Sequence, residues 1–260
     1  MIIDREHILA EMKVRALVPD DCLAVFAVGS IARGWANPGS DFDFIAITAR
    51  PWSVQGARSV PVPLEPNAVQ ALELQVGERR WEIAYWLDGQ IDQMLAKASW
   101  QQFDAGISSL KVLTDPEELL LGRFPTAVPL LGADWLERRR AQLAESAYKA
   151  FMTTRSLAEA DGNVEDVFGM LAAGDAHSAV LAARKAFGHI VDALLESNND
   201  FASRSPKWRA RRMRDAGLPV LPFERYWAVE TMADFDEQDP AAWAARVAHL
   251  CKDLSVEIEI

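Results

Sequence analysis

The chain has 260 residues, half of them apolar and a quarter charged, which excludes a disordered polypeptide and allows one large domain or two modest ones. A formal net charge of -11 argues against a general nucleic-acid binder, because phosphate backbones call for a positive surface. No uncharged apolar run approaches the ~18 residues of a spanning helix, the first residues do not resemble a signal peptide, and the distant Cys22 and Cys251 have no metal-ligand spacing; together these read as a cytoplasmic protein with reduced thiols.

In chain order, Ile8, Leu9, Met12 and the apolar run 14–17 predict a helix over about 5–17. "CLAVFAVG" reads as a buried strand ending in glycine. A short helix is expected from Ser30, and "DFDFIAIT" is a second strand with period-two character. Residues 51–66 read as a connection. "AVQALELQV" and "RRWEIAYWL" look like paired strands with their turn near "GERR", followed by a helix from Gln90, and "SSLKVLTDP" is expected to form one more short strand. After Pro129 the pattern turns helical. "GADWLERRRAQLAESAYKAFMTTRSLAEA" and "GDAHSAVLAARKAFGHIVDALLESNN" have helical spacing, and Ser205-Pro206 and Asp239-Pro240 are helix-start signals. The expected organisation is therefore α+β: a mixed-sheet domain over 1–128 and a helical bundle over 129–260.

Asp41 and Asp43 interrupt an otherwise buried strand. Alternation sends both carboxylates to one face and Phe42 and Phe44 to the other. Paired carboxylates make a hard donor set for Mg²⁺. Upstream, Gly29 and Ser30 stand where a strand turns into a helix, with glycine permitting close approach and free N–H groups facing an anion. An anion cradle beside a carboxylate pair suits a nucleoside triphosphate with its metal.

Gly29-Ser30, ten residues, then Asp41-Phe42-Asp43 resembles the signature of the DNA polymerase beta superfamily of nucleotidyltransferases. "GSIARGWANPGSDFDF" is similar to the bacterial group that includes the aminoglycoside- and lincosamide-modifying enzymes. The resemblance implies an N-terminal nucleotidyltransferase domain, a helical substrate domain, and transfer of an NMP, AMP from ATP foremost, to a hydroxyl of a small molecule. It implies two Mg²⁺ ions on Asp41, Asp43 and a third carboxylate, with Glu82 favoured over Glu73 as ligand or general base. Ser30 and neighbouring N–H groups would grip the phosphates, with Arg33 and Ser40 contributing. Arg33 could equally serve a salt bridge. The same fold can nucleotidylate a protein or a tRNA end, or persist as an inactive nucleotide-binding module.

In the second half, "RSPKWRARRMR" reads first as a solvated helix face balancing the acids. The alternatives place Lys207 or Arg204 on the triphosphate, or the run on RNA. His177 and His189, twelve residues apart, cannot form one metal pair and read as packed or surface residues. Trp35 and Trp208 are candidates for stacking on a base. The oligomeric state is not readable.

Overall fold

In the computed structural model, which describes residues 4–202 and 206–260, Asp4 caps the first helix, α1 (Arg5–Val14), by accepting from the His7 N–H at 3.0 Å. Ile8 and Met12, four apart, bury the inner face of α1, and the chain leaves the helix through Ala16 at φ 53°. The strands that follow are β1 (Cys22–Val28), β2 (Phe42–Thr48), β3 (Arg58–Pro61), β4 (Ala68–Val76), β5 (Arg79–Leu87) and β6 (Val128–Leu131). They form one sheet in the order β3-β4-β5-β2-β1-β6. The β2–β5 pair is parallel and the others are antiparallel.

Period-two alternation divides the side chains between the two faces of this sheet. Val25, Ala27, Phe44, Ala46, Leu72, Trp81, Ile83 and Tyr85 form one core with Ile8 and Met12 of α1. On the opposite face Phe26 meets Phe124 edge-on at 5.8 Å and Trp135 in a stack at 6.2 Å. That face is served by α5 (Asp115–Arg123), which leads into Phe124, and by α6 (Ala133–Glu145), which carries Trp135. Between β1 and β2 lies one turn of helix, α2 (Gly29–Ala32), while α3 (Asp88–Lys97) and α4 (Trp100–Asp104) follow β5.

The chain divides into two compact units, one holding residues up to 107 with 111–148 and the other 108–110 with 149–260. β6 and α6, which the sequence pattern assigned to the helical half beyond 128, therefore belong to the first unit, because β6 completes the sheet against β1. The strand expected in "SSLKVLTDP" does not form. Val112 and Leu113 are buried, but the Thr114 capping box with Glu117 and the following Pro116 start α5 instead. β3 was hidden inside the expected connection, and the helix expected from residue 132 is broken at Ser146, whose ψ of 170° is extended.

The second unit is built from most of α7 (Tyr148–Ala172) with α8 (Ala176–Ser197), α9 (Arg209–Ala216), α10 (Phe223–Glu230) and α11 (Pro240–Ser255). Asp175 and Asp239 cap α8 and α11 through the N–H groups of Ser178 and Ala242. Small residues Ala179, Ala182, Ala183 and Ala186 line α8 in a core shared with Trp243, Ala244, Val247 and Ala248 of α11. Among the described residues no helix is long and apolar enough to cross a membrane.

Candidate active site

The register of the sheet brings acids together that sequence spacing alone could not pair. Asp43 on β2 lies directly beside Glu82 on β5, and Glu82 stands opposite Glu73 on β4. Glu82, not Glu73, is thus the immediate neighbour of Asp43. Asp41 lies just before β2, at the same end of the strand. Like charges opposite one another in a sheet are destabilising, so this row requires compensation.

Two arginines, Arg80 and Arg123, supply it and a third, Arg79, frames the loop before Asp41; none was singled out from the sequence. Arg80, two residues before Glu82 on the same face of β5, holds Asp41 Oδ2 and Glu82 Oε1 through Nη2, the latter at 2.9 Å. Its guanidinium pKa is raised by the hydrogen bond to Asp41 and by that residue's charge. Arg123, at the end of α5, faces Asp43 and Glu82; burial lowers its pKa while the two carboxylates oppose that shift. Arg79, on the other face of β5, donates to the carbonyls of Asn37, Pro38 and Ser40 and fixes the loop that delivers Asp41. The adjacent "RR" before Glu82 was the only local signal for Arg79 and Arg80. Arg123 lies about forty residues beyond Glu82 and reaches the cluster only through the packing of α5.

The Glu82 carboxyl is held above the usual range, first by burial and then by the charge of Asp43, with Arg80 pulling the other way. Gly29 closes the opposite wall. Its φ is +68°, and a β-carbon there would come within 2.4 Å of Asp43 Oδ2, so the carboxylate lies where only glycine leaves room.

The remaining expected residues occupy varied positions. Ser30 is half-buried in α2, its carbonyl accepting from the N–H groups of Trp35 and Ala36. The Arg33 guanidinium stacks on Trp35 at 4.7 Å, and Trp35 is buried, which turns that ring from a base platform into a packing partner. The Ser40 hydroxyl accepts from the Asn37 N–H at 2.9 Å and shapes the loop before Asp41.

In the second unit, Lys207 is exposed in the short turn Pro206–Trp208, and Arg204 lies outside the described residues. The solvated-face reading of the basic run is corrected for two of its members. Arg212 is fully buried on Asp192 and Asp200, and Arg209 pairs with Asp192 at 2.6 Å. His177 is exposed, while half-buried His189 has its pKa lowered by burial.

Asp41, Asp43 and Glu82 offer carboxylate oxygen alone, the donor type that hard divalent cations take. The Asp41 and Glu82 side chains remain 36% and 39% exposed, within reach of an ion from solvent. Among the described residues no three His, Cys, Asp or Glu side chains converge as a ready-made metal site, and Arg80 is paired with Asp41 and Glu82. The donor chemistry fits a divalent cation, and the present arrangement is the one held by arginine.

The fold and site therefore define an α+β chain whose mixed sheet carries an acid–arginine cluster beside a glycine corner. No protein-family model matches this chain, and no curated protein matches it. Among solved structures it is similar to a nucleotidyltransferase-like protein from Exiguobacterium sibiricum 255-15, with a TM-score of 0.48 and 11% identity, covering 97% of this chain and 74% of that one.

Proposed function

We propose that this chain is a divalent-cation-dependent nucleotidyltransferase that moves an NMP, AMP from ATP foremost, onto a hydroxyl of a small molecule and releases pyrophosphate. One observation carries the reading: Asp43 and Glu82 lie in register on neighbouring strands, with Gly29 packed against the Asp43 carboxylate and Asp41 at the strand entrance. Asp41 and Asp43 would hold the cations, Mg²⁺ in the cell, with Glu82 lining the same site. When bound, Mg²⁺ neutralises charge on the triphosphate and on the departing pyrophosphate.

The chain's own groups do the rest. The Gly29-Ser30 corner lets the backbone and the Ser30 hydroxyl approach phosphate oxygens. Glu82, whose raised proton affinity suits a general base, takes the proton from the acceptor hydroxyl as that oxygen attacks the α-phosphorus in line. Arg123 keeps a fixed positive charge beside Asp43 and Glu82 throughout. Catalysis is mostly positioning and charge compensation. An acidic chain is compatible with a cationic acceptor such as an aminoglycoside.

A second reading, an inert nucleotide-binding module, is favoured by the hold of Arg80 on Asp41 and Glu82. The test is pyrophosphate release with Mg²⁺ and each NTP against a panel of hydroxyl compounds that includes aminoglycosides. Release that depends on one acceptor and is lost in Asp43→Asn supports small-molecule transfer. Nucleotide binding without release supports the inert module, and label from α-labelled NTP entering protein or tRNA moves the acceptor to a macromolecule.

A further inference from the structure

The three arginines around the carboxylates are held in different ways. Arg79 is tied to three loop carbonyls and belongs to the frame of the site. Arg123 is half-buried at the end of α5. Arg80 is set in β5 opposite Gln75, and half of its side chain is exposed. Its guanidinium spans Asp41 and Glu82, on a long stem that can swing into solvent.

We propose that Arg80 is a built-in counter-cation, a positioning residue that holds Asp41 and Glu82 while no metal is bound and yields them when a divalent cation enters. The inference rests on the reading of Asp41, Asp43 and Glu82 as the cation and nucleotide site. Four acids crowd one end of this sheet face, and some cation must offset them. A guanidinium supplies charge through directed N–H bonds, here from Nη2 alone to one oxygen of each acid. A divalent ion is a compact charge around which oxygens gather. Arg80 Nη2 sits on Asp41 Oδ2 and Glu82 Oε1, oxygens that a cation held by both residues would draw on, so the arginine lowers the affinity of the empty site for metal and keeps the acids ordered until metal arrives. Exposed ion pairs of this kind are worth little, so the competition amounts to roughly a two- to fivefold change in metal affinity.

Mn²⁺ alone, with free ion followed by electron paramagnetic resonance at fixed low ionic strength, tests this without any turnover. The proteins are the full chain and its R80Q, R80K, R58Q and D43N variants. Arg58 is the control for net charge, since it pairs with Glu73 at 3.2 Å, one strand away from Glu82. R80Q is expected to bind Mn²⁺ two- to fivefold more tightly than wild type, R80K and R58Q to stay close to wild type, and D43N to lose binding. An R80Q affinity equal to or weaker than wild type, with D43N still defective, overturns the role of Arg80 and leaves the metal site standing. A gain in R58Q as large as in R80Q reduces the effect to net charge and overturns it as well. Mn²⁺ binding indifferent to D43N overturns both the inference and the reading beneath it.

Discussion

Replacing Gly29 by alanine adds one methyl group where two costs meet. The residue sits at φ +68°, and a side chain in that left-handed region costs about 1–2 kcal/mol. The new β-carbon would also lie 2.4 Å from Asp43 Oδ2, so the carboxylate must retreat by about 1 Å to reach an ordinary contact of 3.4 Å. At about 2–4 °C per kcal/mol for a protein of this size, the backbone term lowers Tm by roughly 2–8 °C. The displacement acts on function, since a misplacement of about 1 Å at a reacting centre can cost on the order of 100-fold in rate. Gly132→Ala is the matched control: its φ is +70° and its β-carbon would strike the Leu23 carbonyl oxygen at 2.1 Å, far from any acid of the row. Thermal melting by circular dichroism and Mg²⁺-dependent pyrophosphate release measure the two effects separately. G29A is expected to lose far more activity than its Tm loss explains, and G132A to lose Tm at least as much while the surviving folded fraction keeps its activity. Wild-type activity in a folded G29A protein would refute the placement of the Asp43 carboxylate at the centre of the site.

Among the acids, Glu82→Gln is expected to abolish transfer while Glu73→Gln, one strand further from Asp43, changes it by less than about tenfold; steady-state rates of the two folded variants check the order imposed by the register. In the second unit, Asp192→Asn removes the carboxylate paired with Arg209 and one of the two that hold Arg212, and should cost about 3–5 kcal/mol, read as a drop in the urea midpoint, with Asp200→Asn costing less because that carboxylate is 20% exposed. Burial pushes the thiol of Cys251 up to about 12 and that of Cys22 up to about 11, so native protein near pH 8 should resist iodoacetamide and label at both positions in urea. Because both folded values lie above the ordinary 9.0, the two thiols contribute full stability below about pH 9 and lose it as pH rises toward 11 and 12, a decline that cysteine-to-serine variants should lessen in alkaline melts.

Much of the first unit was legible because its signals are local. The apolar run at β1 and the alternation of β2 and β5 each depend on a few neighbouring residues, as does the Asp239-Pro240 start of α11 in the second unit. β3 and β6 escaped because each is four residues long, carries a proline, and is a strand only through its partner. The acids were visible as an anomaly, two charges in a buried strand. Their compensation was not, since spacing along the chain fixes no register to place Arg80 across from Asp41 and no packing to bring the charge of Arg123 to Asp43. The basic run misled for the same reason: Arg209 and Arg212 read as surface charge until Asp192 is placed against them.

The most direct measurement is calorimetric titration of an α,β-non-hydrolysable ATP analogue into wild-type and Asp43→Asn protein, each with Mg²⁺ and with chelator. Saturable binding to wild type that requires Mg²⁺ and disappears in a correctly folded Asp43→Asn protein is the expected result. Equal binding in all four titrations, or none even to wild type with Mg²⁺, would contradict the assignment of this acidic cluster on the inner strands as a metal–nucleotide site.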